Sequence, residues 1–116
     1  MKEQISNEAR LRHILDAIIE IESYIKDFSL ADFTANSLVR NATVRQLEII
    51  GEASKHLTED LRMKYHEINW DEISGLRNII VHEYFIVDNN ILWDIVTNDI
   101  PPLKTLIAKI ITEEFN

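Results

Sequence analysis

Apolar residues recur at three- and four-residue spacing through most of the chain, and most of these runs open on a residue able to cap a helix. From about Ser6 to Lys26, Leu11, Ile14, Leu15, Ile18, Ile21 and Ile25 share one side of a helical projection. Arg10, Arg12, Asp16, Glu20 and Glu22 occupy much of the remainder, which predicts an amphipathic helix with Ser6 or Asn7 at its N-cap. Ser29–Phe33 reads as a short turn, or a single helical turn, that delivers its aromatic ring to the core. A second long helix is predicted from Ser37 to Leu57, with Val39, Ala42, Leu47, Ile50, Ala53 and Leu57 facing inward. Gly51 sits in its middle, where glycine costs ~1 kcal/mol relative to alanine. Close approach of another helix at that point would account for it. Glu48 and Glu52, one turn apart beside this gap, read either as a solvated acidic ridge or as the holder of an arginine from the centre of the chain.

The shorter runs continue the pattern. Thr58 is placed to cap a short helix through His66, and Asn69 to cap another that opens Trp70-Asp71-Glu72, with two acids suited to its dipole. Asp88 caps a further helix bearing Ile91, Leu92, Trp93, Ile95 and Val96. Pro101-Pro102 then marks a kink, or a stop after which Asp99 caps a restart. Leu103, Leu106, Ile107, Ile110 and Ile111 give the last helix its apolar face. Glycine and proline number two each, too few for the many turns of an all-β domain. No repeat, low-complexity tract or linker is visible. The expectation is an all-α, up-and-down bundle of about five helices, with residues 1–116 forming a single domain.

One stretch resists a purely structural account. Gly75-Leu76-Arg77-Asn78-Ile79-Ile80-Val81-His82-Glu83-Tyr84-Phe85 is largely apolar, yet it carries a guanidinium, an imidazole and a phenol. Such groups need partners or a cleft, because unpaired buried polar groups are costly. At roughly 100° per residue, Ile73, Leu76, Ile80 and Tyr84 form one stripe, and Asn78 and His82 stack on a second face. Arg77 and His82 lie roughly 140° apart and flank a groove. A helix so apolar on nearly all sides must be covered twice, and a second copy of the chain is the simplest second cover. Histidine moves protons near neutral pH and arginine holds phosphate bidentately, so the pair suits phosphoryl transfer. RNA supplies its own nucleophile, the 2′-hydroxyl, so a metal-free ribonuclease needs little more. The alternative from spacing alone is a histidine and an arginine satisfied structurally within a bundle.

The bulk properties narrow the setting. A chain of 116 residues, 46% hydrophobic and 28% charged, has an ordinary globular composition. Its net charge of −8 excludes a non-specific nucleic-acid coat but not a small local RNA site. All six arginines precede His82, whereas two lysines face six acids after it, an acidic third that could meet a basic partner. The absence of cysteine removes disulfides and thiolate metal sites. The histidines at 13, 56, 66 and 82 show no metal-ligand spacing, so no metal is expected. A polar start at Met1-Lys2-Glu3-Gln4 and the lack of any apolar run near the ~20 residues of a membrane span point to a cytoplasmic protein away from membranes.

Arg77-Asn78-x3-His82-x-Tyr84 resembles the Arg-x4-His-x-Tyr motif of the HepT-like toxins, within the HEPN ribonuclease superfamily. The resemblance covers nearly the whole chain: Leu11–Ile18 is similar to that family's first helix and Leu47–Ala53 to its second, and Trp70, Gly75-x-Arg77-Asn78 and Trp93-x7-Pro101 also fit. Asn69 stands where proline is expected before Trp70, and Pro102 beside Pro101 is a small variation. The resemblance implies an all-α homodimer, or a higher oligomer, whose motif helices meet in a composite RNA-cleaving cleft. It implies Arg77 and His82 as the catalytic pair, with Asn78 supporting. It further implies a type VII toxin–antitoxin system in which an MntA-like minimal nucleotidyltransferase uses ATP to transfer AMP to Tyr84, the toxin itself needing no cofactor. The competing expectation is a non-catalytic helical adaptor that binds such a nucleotidyltransferase and presents substrate to it. A third is a cleft that binds nucleotide without cleavage.

Overall fold

The computed structural model describes residues 5–77 and 88–116. The expected positions Asn78, Ile80, His82 and Tyr84 lie outside them. The described chain is all-α. Helix α1 spans Asn7–Ile25, α2 Leu30–Ala35, α3 Ser37–Lys55, α4 Glu59–Lys64 and α5 Trp70–Ser74. Helix α6 spans Asn89–Asp94, a π-helical turn Ile95–Asp99 follows, and α7 runs Ile100–Phe115. The bundle rests on three long helices: α1 packs along α3 on one side and α7 on the other. Short α2 bridges α3 and α6, and α5 crosses α3.

The predicted inward faces are buried at their centres, while Leu15, Ile25, Val39, Ala42 and Leu106 are only partly covered. Leu11, Ile14, Ile18 and Ile21 of α1, Ile50 of α3 and Ile107 of α7 have no accessible surface. Phe33, delivered by α2, is equally buried and tilts against Trp93 with ring centroids 5.3 Å apart. Capping residues act largely as the sequence predicts. Ser6 Oγ accepts from the Ala9 N–H at 3.1 Å, and Asp88 accepts from the N–H groups of Asn90 and Ile91 at 2.8 and 3.3 Å. Ser29 and Asp32 form a reciprocal capping box on α2.

Three local expectations need correction. Thr58 occupies the N-cap of α4 but makes no side-chain cap bond. Its hydroxyl instead accepts from Asn7 Nδ2 at 2.9 Å, and its N–H donates to Asn7 Oδ1 at 3.1 Å, tying α4 to the start of α1. Helix α4 also stops at Lys64 rather than His66, because Tyr65 leaves helical geometry and turns into the core. At the prolines the chain neither stops nor restarts on Asp99, which remains helical with no side-chain cap bond. Proline within a helix removes one N–H and collides with the carbonyl four residues back. The wide turn Ile95–Asp99 absorbs this: the Ile100 N–H reaches back five residues to the Ile95 carbonyl, and Pro101 follows where the ladder has been loosened.

Candidate active site

Arg77 is positioned by a chain of short-range constraints. Asn69 caps α5 by accepting from the Glu72 N–H at 3.1 Å. The next residue, Trp70, is buried, and its indole N–H donates to the carbonyls of Arg62 and Tyr65 at 3.2 and 3.1 Å. Leu76 is buried in the core immediately before Arg77. Across from it, Gly51 of α3 lets this segment approach: a Cβ there would lie 2.9 Å from the Arg77 backbone nitrogen and 3.1 Å from the Ser74 carbonyl oxygen. Gly51 is thus the close-contact point that its mid-helix position suggested.

The Arg77 side chain emerges into solvent and is held by Glu52, Nη1 donating to Oε2 at 2.9 Å. Glu52 therefore takes the second of its two expected roles, while Glu48 pairs with Arg45 at 3.6 Å. The other Glu52 oxygen lies 2.9 Å from His56 Nε2. The hydrogen bond from His56, followed by the Arg77 guanidinium, holds the Glu52 carboxyl below the usual carboxylate range despite an opposing contribution from desolvation. The bridged carboxylate fixes the direction of Arg77 without burying it, since the arginine side chain remains 44% exposed.

Arg77 separates two clefts. One, of about 270 Å³, is lined by Lys55, Arg62, Asp71, Ser74, Gly75 and Arg77. The other, of about 340 Å³, lies between α1 and α3, where Arg10 and His13 face Arg45, Glu48, Ile49, Glu52 and Ala53, with Arg77 at its edge. Of the four residues expected to form the site, the described structure thus places Arg77. Arg10, His13, Arg45 and His56 were not anticipated beside it. His56, four residues after Glu52, was legible in the sequence. The meeting of Arg10 and His13 with α3 depends on how α1 is rotated against its neighbour. Among the described residues no group of three or more histidine, aspartate and glutamate side chains is placed to hold a metal ion, and no helix is long and apolar enough to cross a membrane.

The described structure is thus a helical bundle with a carboxylate-braced, solvent-facing arginine between two polar clefts. The chain belongs to the ribonuclease HepT-like family, whose profile matches residues 14–110. That membership makes it an RNA-cleaving enzyme by class. Among its relatives, a Methanocaldococcus jannaschii protein named as a gamma-glutamylcyclotransferase and candidate RNase is 44% identical over 103 residues. That match takes in 89% of this chain and 46% of the relative, so the chain spans about half of that longer protein. A second candidate RNase from the same organism is 41% identical over 97 residues, covering 84% of this chain and 89% of its own. A probable ribonuclease HepT of Thermococcus cleftensis is 38% identical over 105 residues, covering 90% and 96% respectively. No solved structure matches the chain.

Proposed function

We propose that the protein is a metal-independent endoribonuclease toxin in which Arg77 and His82 act together on an RNA phosphodiester. The observation that carries this reading is Arg77 itself: it is the first residue of the Arg-x4-His-x-Tyr motif, is braced by Glu52 and faces an open cleft. In the reaction the 2′-oxygen attacks the adjacent phosphorus and the bond to the 5′-oxygen breaks. One proton passes from the 2′-hydroxyl to the leaving oxygen, with His82 as the transfer group. Arg77 offsets the negative charge that builds on phosphorus oxygens, and Asn78 supports the pair. A homodimer in which two motif segments meet would supply the second cover that the apolar stretch 79–81 demands, making the site composite.

Tyr84, two residues after His82, is the off-switch in this reading. Its hydroxyl attacks the α-phosphorus of ATP on an MntA-like nucleotidyltransferase, pyrophosphate leaves, and AMP remains on the tyrosine. The added bulk and negative charge beside Arg77 repel substrate phosphate. The chain itself uses no cofactor and works in the cytoplasm.

The test is cleavage of single-stranded RNA by purified wild type and His82→Ala in a chelator. The expected loss is about 10²-fold or more, the scale of a missing general acid–base group, with an unchanged circular-dichroism spectrum. Equal cleavage by both proteins removes His82 from the chemistry. No cleavage by either favours the helical-adaptor reading. Incubation with the partner enzyme and ATP should add a multiple of the AMP mass to wild type and none to Tyr84→Phe; an unchanged wild-type mass with an active partner removes the switch.

A further inference from the structure

The cleft between α1 and α3 carries more cationic groups than the bracing of Arg77 requires. Arg77 is committed to Glu52 at 2.9 Å. Arg45, by contrast, meets Glu48 at 3.6 Å on the same helix face, and its side chain is 68% exposed. An exposed pair of this kind is weak and screened by salt, so Arg45 is free to turn toward a stronger anion. On the opposite wall, Arg10 presents a guanidinium whose Nε is buried without a hydrogen-bond partner among the described residues. Ile49 and Ala53 supply the apolar part of the lining, and His13 also lines it. The volume of about 340 Å³ is at the small end of ligand clefts and far too small for a duplex.

We propose that this cleft is a second substrate subsite that takes one nucleotide of a single-stranded RNA next to the phosphate being cleaved at Arg77. Arg45 and Arg10 grip its backbone phosphate from the two walls, as guanidinium groups do bidentately. Ile49 and Ala53 lie against its sugar or base. The inference rests on the reading of Arg77 as part of the active site and assigns it a neighbouring substrate class. It also answers a difficulty of charge: with a net charge of −8 the chain repels RNA at long range, so holding it falls to a local cation cluster. A base-paired strand could not enter, because its nucleotides stay stacked in the helix.

The experiment compares Arg45→Glu with Arg12→Glu in the full chain. Both reversals change the net charge equally, but Arg12 lies outside the cleft and pairs with Glu8 at 3.0 Å. Binding is measured with a 2′-O-methylated single-stranded RNA, which offers the phosphates but no nucleophile, and cleavage with the unmodified strand. Arg45→Glu should raise Kd and KM about tenfold, the effect of losing one good phosphate contact, with a smaller change in kcat. Arg12→Glu should shift each by less than about twofold if the effect is local rather than one of overall field. Equal effects of the two reversals, or a loss confined to kcat for Arg45→Glu, overturn the subsite. So does a duplex of the same sequence that binds wild type as tightly as the single strand. Should wild type bind the methylated strand through Arg45 yet cleave no RNA, the nuclease reading fails and the subsite stands.

Discussion

At the scale of single residues, the site turns on Glu52, which divides one carboxylate between Arg77 and His56. Glu52→Gln keeps the shape but removes the charge that aims the arginine. We expect cleavage to fall by about tenfold, a positioning effect, while stability changes by less than about 1 kcal/mol because the pair is exposed. The pH dependence has a definite sign. A carboxyl whose folded pKa is lowered contributes stability that is complete above its ordinary value of 4.5 and fades as pH falls through the lowered value. Whatever advantage wild type holds over Glu52→Gln in urea unfolding at pH 7 should therefore persist to about 4.5 and vanish only in stronger acid, which unfolding midpoints across that range will show. An advantage already lost at pH 6 would show that the Glu52 carboxylate is not what supplies it.

At the scale of elements, the segment bearing Arg77 depends on the short helix α5, five residues too few to persist alone. It is kept in place by Asn69 at its start and by Trp70 against the Arg62 and Tyr65 carbonyls. Asn69→Ala should cost about 1 kcal/mol in urea unfolding, the usual loss of an N-cap, and Asn69→Asp should recover most of it. An unchanged midpoint in Asn69→Ala would mean that Trp70 alone orders the turn. The corner before α5 is fastened to α7 as well: the single Tyr65 hydroxyl proton is shared between Glu114 at 2.7 Å and Glu113 at 3.1 Å, and Lys64 reaches the same Glu114 oxygen at 2.7 Å. Burial, reinforced by those carboxylates, pushes the Tyr65 phenol well above its ordinary value.

These elements show what could be read from the chain and what could not. Ser6, Phe33, Asn69 and Asp88 announce themselves because a cap or a plugged aromatic is decided within a few residues. Gly51 announced a close approach because glycine is otherwise wasteful in a helix interior. The Asn7–Thr58 clasp was invisible, since it joins residues 51 apart. The proline pair left a kink and a stop both open, because proline can produce either, and the wide turn that lets the helix continue depends on which carbonyl the Ile100 N–H reaches rather than on residue type. Arg10, His13 and Arg45 were present as helix-face residues, but nothing local reveals that α1 and α3 turn those faces toward one cleft.

At the scale of the whole molecule, charge is spent more economically than the sequence suggests. The acidic C-terminal third looked like a surface for a basic partner, yet Glu113 and Glu114 are occupied in holding Tyr65 and Lys64. Lys104 and Lys109 are likewise paired with Glu22 and Glu67 on other parts of the bundle. Arg10, Arg45, Lys55 and Arg62 gather with Arg77 along two clefts, so a molecule acidic in sum carries a local group of cations there, interleaved with Glu48, Glu52 and Asp71. Gly51 touches the same place from behind, and that gives it a use at the bench. Alanine there regains ~1 kcal/mol of helix propensity, which offsets part of the about 1–3 kcal/mol that overpacking costs, because its methyl, only 2.9 Å from the Arg77 nitrogen, pushes the arginine's backbone off its mark. On the toxin reading, cells that cannot keep the wild-type gene should tolerate Gly51→Ala, and transformation counts beside a melting curve will show it. Few colonies from a normally folded variant would mean that the cleft accommodates the shift. A harmless, well-folded copy would let the protein be made in quantity without its antidote.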